Sequence, residues 1–266
     1  MSLSAEHLQI RKQGRMLLDV PHLSLPAGQV HALLGPNGAG KSTLLSALAG
    51  IERSAAACVR LHGRALDGWD TLELARHRAL MTQDTDVPFD FEVDDIVRMG
   101  RYPHSGHPHP REHELVDHAL GLAGALPLRG RRHTQLSGGE KARVLLARAL
   151  AQIQAPPGDT RPRWLLLDEP TAALDLAHQH AVMRLLRQVA SEGTGVLVVL
   201  HDLNLAGAYA DQVLVMADGR IDSRGHCQQV LQPQLVERIW GVVCERLSTS
   251  STRTDTRPAR SWLAFS

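Results

Sequence analysis

The chain has little aromatic content: 3% of its 266 residues are Phe, Trp or Tyr, and the first of them is Trp69. Base-stacking platforms for single-stranded nucleic acid are built on such residues, so that class is excluded. The chain also lacks a charge bias. Its formal net charge of +1 supplies no field that would draw it to nucleic acid or acidic lipid. Only three cysteines occur, Cys58, Cys227 and Cys244, and no C-x-x-C pairs them. A sparse, odd count speaks for a reducing compartment and against a disulfide framework or a zinc site. Apolar runs are short, as at 196–200, whereas a membrane span needs roughly 20 apolar residues. Residues 1–12 carry no apolar core of the signal-peptide kind. These absences predict a cytosolic chain whose membrane role, if any, comes through a partner.

What is present is concentrated in Gly35-Pro36-Asn37-Gly38-Ala39-Gly40-Lys41-Ser42-Thr43. The stretch fits G-x-x-x-x-G-K-[ST], the phosphate-binding P-loop. An apolar strand pattern at 30–34 precedes it and an apolar helical pattern at 44–49 follows. Glycines let the backbone curl so that its N–H groups point at phosphate oxygens, and the helix N-terminus adds partial positive charge. Lys41 is expected to reach the β- and γ-phosphates, and the Ser42 hydroxyl to ligate Mg²⁺.

Other polar residues fall at the ends of buried strands. A strand at 79–82 delivers Gln83. The apolar run at 164–167 ends in Asp168-Glu169, and the run at 195–200 ends in His201. Ligands of open α/β sheets bind at the carboxyl ends of the strands. Asp168 is therefore expected to hold Mg²⁺, Glu169 to polarise the attacking water, and His201 to contact the γ-phosphate. Ser137-Gly138-Gly139-Glu140 has the form of a capping box opening a helix, and its two glycines would admit a phosphate closely.

The remaining organisation is coarser. Residues 3–34 read as short strands at 8–10, 16–20 and 23–25. Residues 72–79 read as a helix, and 84–135 as a mainly helical insert. Within the insert five histidines fall between His104 and His118. Proline breaks the segment and no helical spacing gathers the rings, so a solvated loop is the reading rather than a metal or haem site. Arg129-Gly130-Arg131-Arg132 reads as a solvated loop that could touch phosphate or an acidic partner. A hairpin is expected around Asp218-Gly219, a helix at 226–240, and a final hairpin from strands at 242–247 and 261–265.

Together these motifs resemble the ATP-binding cassette family of transport ATPases over nearly the whole chain. The P-loop (35–43), Gln83, the Leu136-Ser137-Gly138-Gly139-Glu140 signature, the acidic strand 165–169, the loop Ala173-Leu174-Asp175 and His201 stand in the family's order. The resemblance implies an α/β fold in a single nucleotide-binding domain over 1–266: a P-loop ATPase core with an antiparallel β subdomain and an inserted α-helical subdomain. It implies ATP and Mg²⁺ as ligands, with Ser42, Gln83 and Asp168 at the metal. It also implies a head-to-tail pair of copies, each ATP held between one P-loop and the other copy's Ser137-Gly138-Gly139-Glu140. Asp175 would act across that pair, and Gln83 would report nucleotide state.

The insert would dock a transmembrane permease dimer, with the chain peripheral at the cytoplasmic face of the inner membrane. No nucleic acid is implied. Residues 99–104 resemble the insert of iron-chelate, cobalamin and haem importer ATPases, and the loop 154–163 with residues 174–179 resembles most the ATPases of haem importers, which work with a periplasmic haem-binding protein. Ferric siderophore and cobalamin importers stay open as alternatives. A non-transport cassette ATPase of repair or translation is more remote, because the interval between Lys41 and Ser137 leaves room for the helical insert alone. One departure stands out. The family stacks adenine on an aromatic residue, and none lies near Arg11-Lys12-Gln13. The base is expected to rest on Lys12 or Arg11, with relaxed nucleotide specificity as one consequence.

Overall fold

The computed structural model describes residues 2–83, 89–106, 108–156, 158–248 and 261–265. In chain order the elements begin with β1 (Ser2–Lys12), β2 (Arg15–Pro26), β3 (Val30–Leu34), α1 (Lys41–Leu48), β4 (Val59–Leu61) and β5 (Arg64–Ala65). Then come α2 (Thr71–His77), β6 (Arg78–Met81), α3 (Val93–Met99), α4 (Glu112–Leu122), α5 (Gly138–Ile153), β7 (Trp164–Asp168) and α6 (Leu176–Ser191). The chain closes with β8 (Gly195–Val199), α7 (Leu203–Tyr209), β9 (Gln212–Ala217), β10 (Arg220–Gly225), α8 (Cys227–Val230), α9 (Pro233–Trp240), β11 (Cys244–Ser248) and β12 (Ser261–Phe265).

Every residue of β3, β7 and β8 is buried. Strands that read as unbroken apolar runs have both faces covered, the condition for the centre of a parallel sheet. They form the middle of a six-stranded sheet ordered β10-β9-β3-β8-β7-β6, parallel except for β10. One face packs on α5, α6 and the helical insert, the other on α1 and an antiparallel sheet ordered β2-β1-β4-β5. The register pairs Leu33 with Val199, Asp168 with Val199 and Met81 with Leu167. The ends that lead to the P-loop, Gln83, Glu169 and His201 thus share one sheet edge.

Several expectations shift. The strands expected at 16–20 and 23–25 are one strand, β2, which runs through Pro21. β2 lies at a sheet edge, where a missing N–H costs no ladder bond. The helix expected at 226–240 is two, because Pro233 occupies the first turn of α9 and Gln232 before it is extended. The closing hairpin forms as β11–β12, with Cys244 opposite Phe265. Asn204 fastens it to α7: its Oδ1 accepts from Leu263 N at 2.8 Å, and its Nδ2 donates to Leu263 O at 3.1 Å.

His77 closes α2 at 1% exposure, edge-on to Trp69 at 5.2 Å and near His62 at 5.7 Å. Burial, reinforced by Arg161 and Arg163, pulls its pKa down from 6.5 to about 4. In that window the unfolded chain takes up a proton that the folded chain refuses. Stability is therefore full above pH 6.5 and is lost as pH falls, at up to about 1.4 kcal/mol per pH unit. His77→Gln is expected to flatten this slope in chemical denaturation between about pH 7 and about pH 5. Equal slopes in the two proteins would show that His77 does not carry it.

Candidate functional site

The P-loop curls because three of its glycines hold left-handed or related backbone: Gly35 at φ 150°, Gly38 at 79° and Gly40 at 96°. Gly35 is also required by space, since a Cβ there would lie 2.3 Å from Met216 O at the end of β9. Gly40 caps α1, which starts at Lys41. Lys41 is 6% exposed, and its Nζ donates to Gly35 O at 2.8 Å and to Pro36 O at 3.0 Å. Burial pushes its pKa down, and the carboxylates of Glu169 and Asp168 oppose that shift.

Asp168 ends β7 at 7% exposure. Burial pushes its carboxyl pKa up, while a hydrogen bond from Ser42 pulls it back. Its Oδ1 is buried without a hydrogen-bond partner among the described residues. A carboxylate oxygen left bare beside a serine hydroxyl is a hard oxygen set that suits Mg²⁺. The next residue, Glu169, holds φ 52°, a left-handed conformation uncommon outside glycine and asparagine. That turn swings its carboxylate along the sheet edge. Oε1 lies 2.5 Å from His201 Nε2, and Oε2 accepts from Gln83 Nε2 at 3.1 Å. Lys41, Ser42, Gln83, Glu169 and His201, with Asn37, Gly38, Gly40, Thr43 and Leu17, line one cleft of about 550 Å³.

The signature residues stand elsewhere. Ser137 Oγ accepts from Glu140 N at 3.3 Å, and Glu140 Oε2 accepts from Ser137 N at 2.8 Å, closing the expected capping box of α5. Those bonds, with Arg131 at 2.8 Å, hold the Glu140 carboxyl down at about 2. The Glu140 carboxylate is thus engaged within its own chain. Gly139 meets a structural need not anticipated, because a Cβ there would lie 2.9 Å from Ala173 O. Asp175 caps α6, accepting from His178 N at 2.9 Å and facing His178 Nδ1 at 2.8 Å. The signature and the Ala173 loop therefore form one surface patch, and neither Ser137, Gly138, Gly139, Glu140 nor Asp175 lines the Lys41 cleft.

One reading of the insert is corrected. His104 is 4% exposed, not solvated, and its Nε2 sits 2.9 Å from Gln152 O; His107 lies outside the described residues. The arginines of 129–132 lie in an exposed loop, as expected, and each is ion-paired within the chain. Arg129 pairs with Asp94 at 2.8 Å and with Asp117, Arg131 with Glu140, and Arg132 with Asp90 at 3.3 Å. Lys12, one of the two expected base platforms, pairs with Glu52 at 3.4 Å. Leu17 was not anticipated at the cleft, because nothing local in the sequence announces the strand irregularity that places it there.

A P-loop at the end of a buried parallel strand, facing an Asp-Glu pair and a histidine on neighbouring strand ends, defines a nucleoside triphosphatase domain. The family profile described as "ABC transporter" matches residues 18–172, more than half of the chain. The chain belongs to the ABC transporter family. It is 45% identical over 251 residues to the Hemin import ATP-binding protein HmuV of Enterobacter cloacae, covering 94% of each chain. It is also 45% identical over 241 residues to the protein of that name from Gloeobacter violaceus, covering 90% of this chain and 87% of that one. Among solved structures it resembles one described as an inward-facing metal-chelate type ABC transporter. There the identity is 28% and the TM-score 0.77, covering 99% of this chain and 96% of that one. Among the described residues no helix is long and apolar enough to cross a membrane.

Proposed function

We propose that this chain is the ATP-hydrolysing subunit of an importer that moves haem through a separate membrane permease. The observation that carries the chemistry is the single cleft in which Lys41, Ser42, Gln83, Glu169 and His201 converge. The cargo rests on the similarity to hemin import ATP-binding proteins over 94% of the chain.

The triphosphate lies along the P-loop backbone, with Lys41 released from the Gly35 and Pro36 carbonyls to the β- and γ-phosphates. Ser42, Asp168 and Gln83 would hold Mg²⁺, and the ion would supply neutralisation of phosphate charge there. In the present arrangement both oxygens of Glu169 are occupied, by His201 and by Gln83. Entry of the γ-phosphate offers those two side chains a stronger acceptor and frees the carboxylate for water. Glu169 then takes a proton from the water as its oxygen bonds to the γ-phosphorus. The bond to the β–γ bridging oxygen breaks, and ADP and phosphate leave.

The patch of Ser137, Gly138 and Gly139 does not line its own cleft, so a second copy supplies it, with Asp175 at the same seam. The helical insert docks the permease dimer, and a periplasmic haem-binding protein delivers the cargo. The chain then sits at the cytoplasmic face of the inner membrane. The test is growth of a strain lacking this protein on haem, on a ferric siderophore, or with cobalamin supplied. Loss of growth on haem alone is expected, uncorrected by the Glu169→Gln form. Intact growth on haem with failure on another supply would overturn the cargo assignment and leave the ATPase chemistry standing.

A further inference from the structure

Residues 169–175 connect β7 to α6 and carry groups of both half-sites. Glu169, at one end, lines the Lys41 cleft. Ala173, near the other, packs on the signature. A Cβ on Gly139 would lie 2.9 Å from Ala173 O and 3.3 Å from Leu174 Cδ2. The main chain of this connection closes on itself only loosely. Ala172 N donates to Glu169 O at 3.2 Å, and Leu174 N donates to Thr171 O at 3.2 Å. Yet Glu169 is held at φ 52°. A residue other than glycine stays in that region only where its surroundings over-determine it.

A side chain from α6 supplies the missing constraint. Gln179 Nε2 donates to Thr171 O at 3.2 Å and to Leu174 O at 3.0 Å. A carboxamide nitrogen has two N–H groups, and both are spent on bridging the connection. Thr171 and Leu174 are themselves buried, so water is poorly placed to replace a lost donor. The Gln179 main chain is anchored as well, its N–H donating to Asp175 O at 2.9 Å. Gln179 thus ties the connection to the helix that Asp175 caps. It does not itself line the Lys41 cleft.

Resting on the reading of Glu169 as the base, we infer that Gln179 is a positioning residue for ATP hydrolysis. Its carboxamide clamps residues 169–175, so that the Glu169 carboxylate stays aimed along the sheet edge and the Ala173 carbonyl stays on Gly139. A loosened clamp leaves the P-loop and Lys41 in place, because they lie on other elements. It moves the base. The test is steady-state ATP hydrolysis and equilibrium ATP binding by the full chain and its Gln179→Leu, Gln179→Glu and Gln179→Arg forms, with unfolding midpoints alongside. Leucine keeps the bulk and loses the donors. Glutamate keeps the shape and turns oxygens on two carbonyls. Arginine keeps donors for both. In the Leu and Glu forms kcat should fall about ten- to a hundredfold, the cost of a base misplaced by about an ångström. KM and ATP affinity should stay within about twofold, as when an interaction of the transition state alone is lost. The Arg form should recover kcat to within about threefold of the unaltered chain.

A kcat within about twofold of the unaltered chain in both the Leu and Glu forms would overturn the inference. So would an Arg form no more active than the Leu form. A fall in kcat matched by an equal fall in the folded fraction would show a contact that serves stability alone, and would overturn it too. In each case intact ATP binding and an inactive Glu169→Gln form leave the reading of the cleft standing. Full turnover by Glu169→Gln would overturn Glu169 as the base, and the inference with it.

Discussion

Glu169→Gln is expected to lower ATP turnover roughly 10²–10⁴-fold while leaving ATP affinity close to that of the unaltered chain. The amide keeps the shape of the carboxylate and can still meet His201 and Gln83, the two partners that hold Glu169 now. What it loses is the capacity to take a proton from water. Lys41, Ser42 and the P-loop backbone are untouched, so binding has no reason to change. Glu169 also turns the chain through a left-handed conformation, which glutamine tolerates as glutamate does. Phosphate release and nucleotide binding, measured on the same preparation, check the separation. Turnover within tenfold of the unaltered chain would show that another group accepts the proton.

Lys41→Ala acts on the earlier step. Its ammonium is buried among loop carbonyls and faces the Asp168 and Glu169 carboxylates. Removing one member of a buried, charge-assisted contact costs about 2–5 kcal/mol, so ATP affinity should fall by between about thirtyfold and a few thousandfold. The loss also removes a positive charge that opposes the burial-driven rise of the Asp168 pKa. Lys41→Met, which keeps the aliphatic bulk, separates charge from packing. Both variants should lose affinity, and Lys41→Met should do so without a fall in unfolding midpoint. ATP affinity unchanged in both would mean that the phosphates do not lie along this loop.

Much of the site was legible because its chemistry sits at strand ends. Three buried apolar runs, 30–34, 164–167 and 195–200, terminate in the residues that meet in the cleft, and their parallel register follows from burial on both faces. The capping box at Ser137 and Glu140 and the Asp218-Gly219 turn are local features, and both formed. What escaped the sequence was set by distant partners. His104 is buried because α5 brings the Gln152 carbonyl to it. The arginines of 129–132 are neutralised by carboxylates from α3, α4, α5 and residue 90. Leu17 enters the cleft through a one-residue slip between two strands, which no local pattern records. Gly139 reads as a phosphate contact in the sequence, and the structure shows a steric reason for glycine there, the close Ala173 carbonyl.

The central claim is that one chain holds two halves of two different sites: the Lys41 cleft, and the signature patch that completes a neighbour's cleft. The most direct measurement is the solution mass of Glu169→Gln with saturating ATP and Mg²⁺, with bound nucleotide counted. The expected result is a dimer that carries two ATP molecules and reverts to monomer when Ser137 is also replaced by a bulky residue. A monomer saturated with ATP at concentrations where the chain is otherwise well behaved would contradict the shared site.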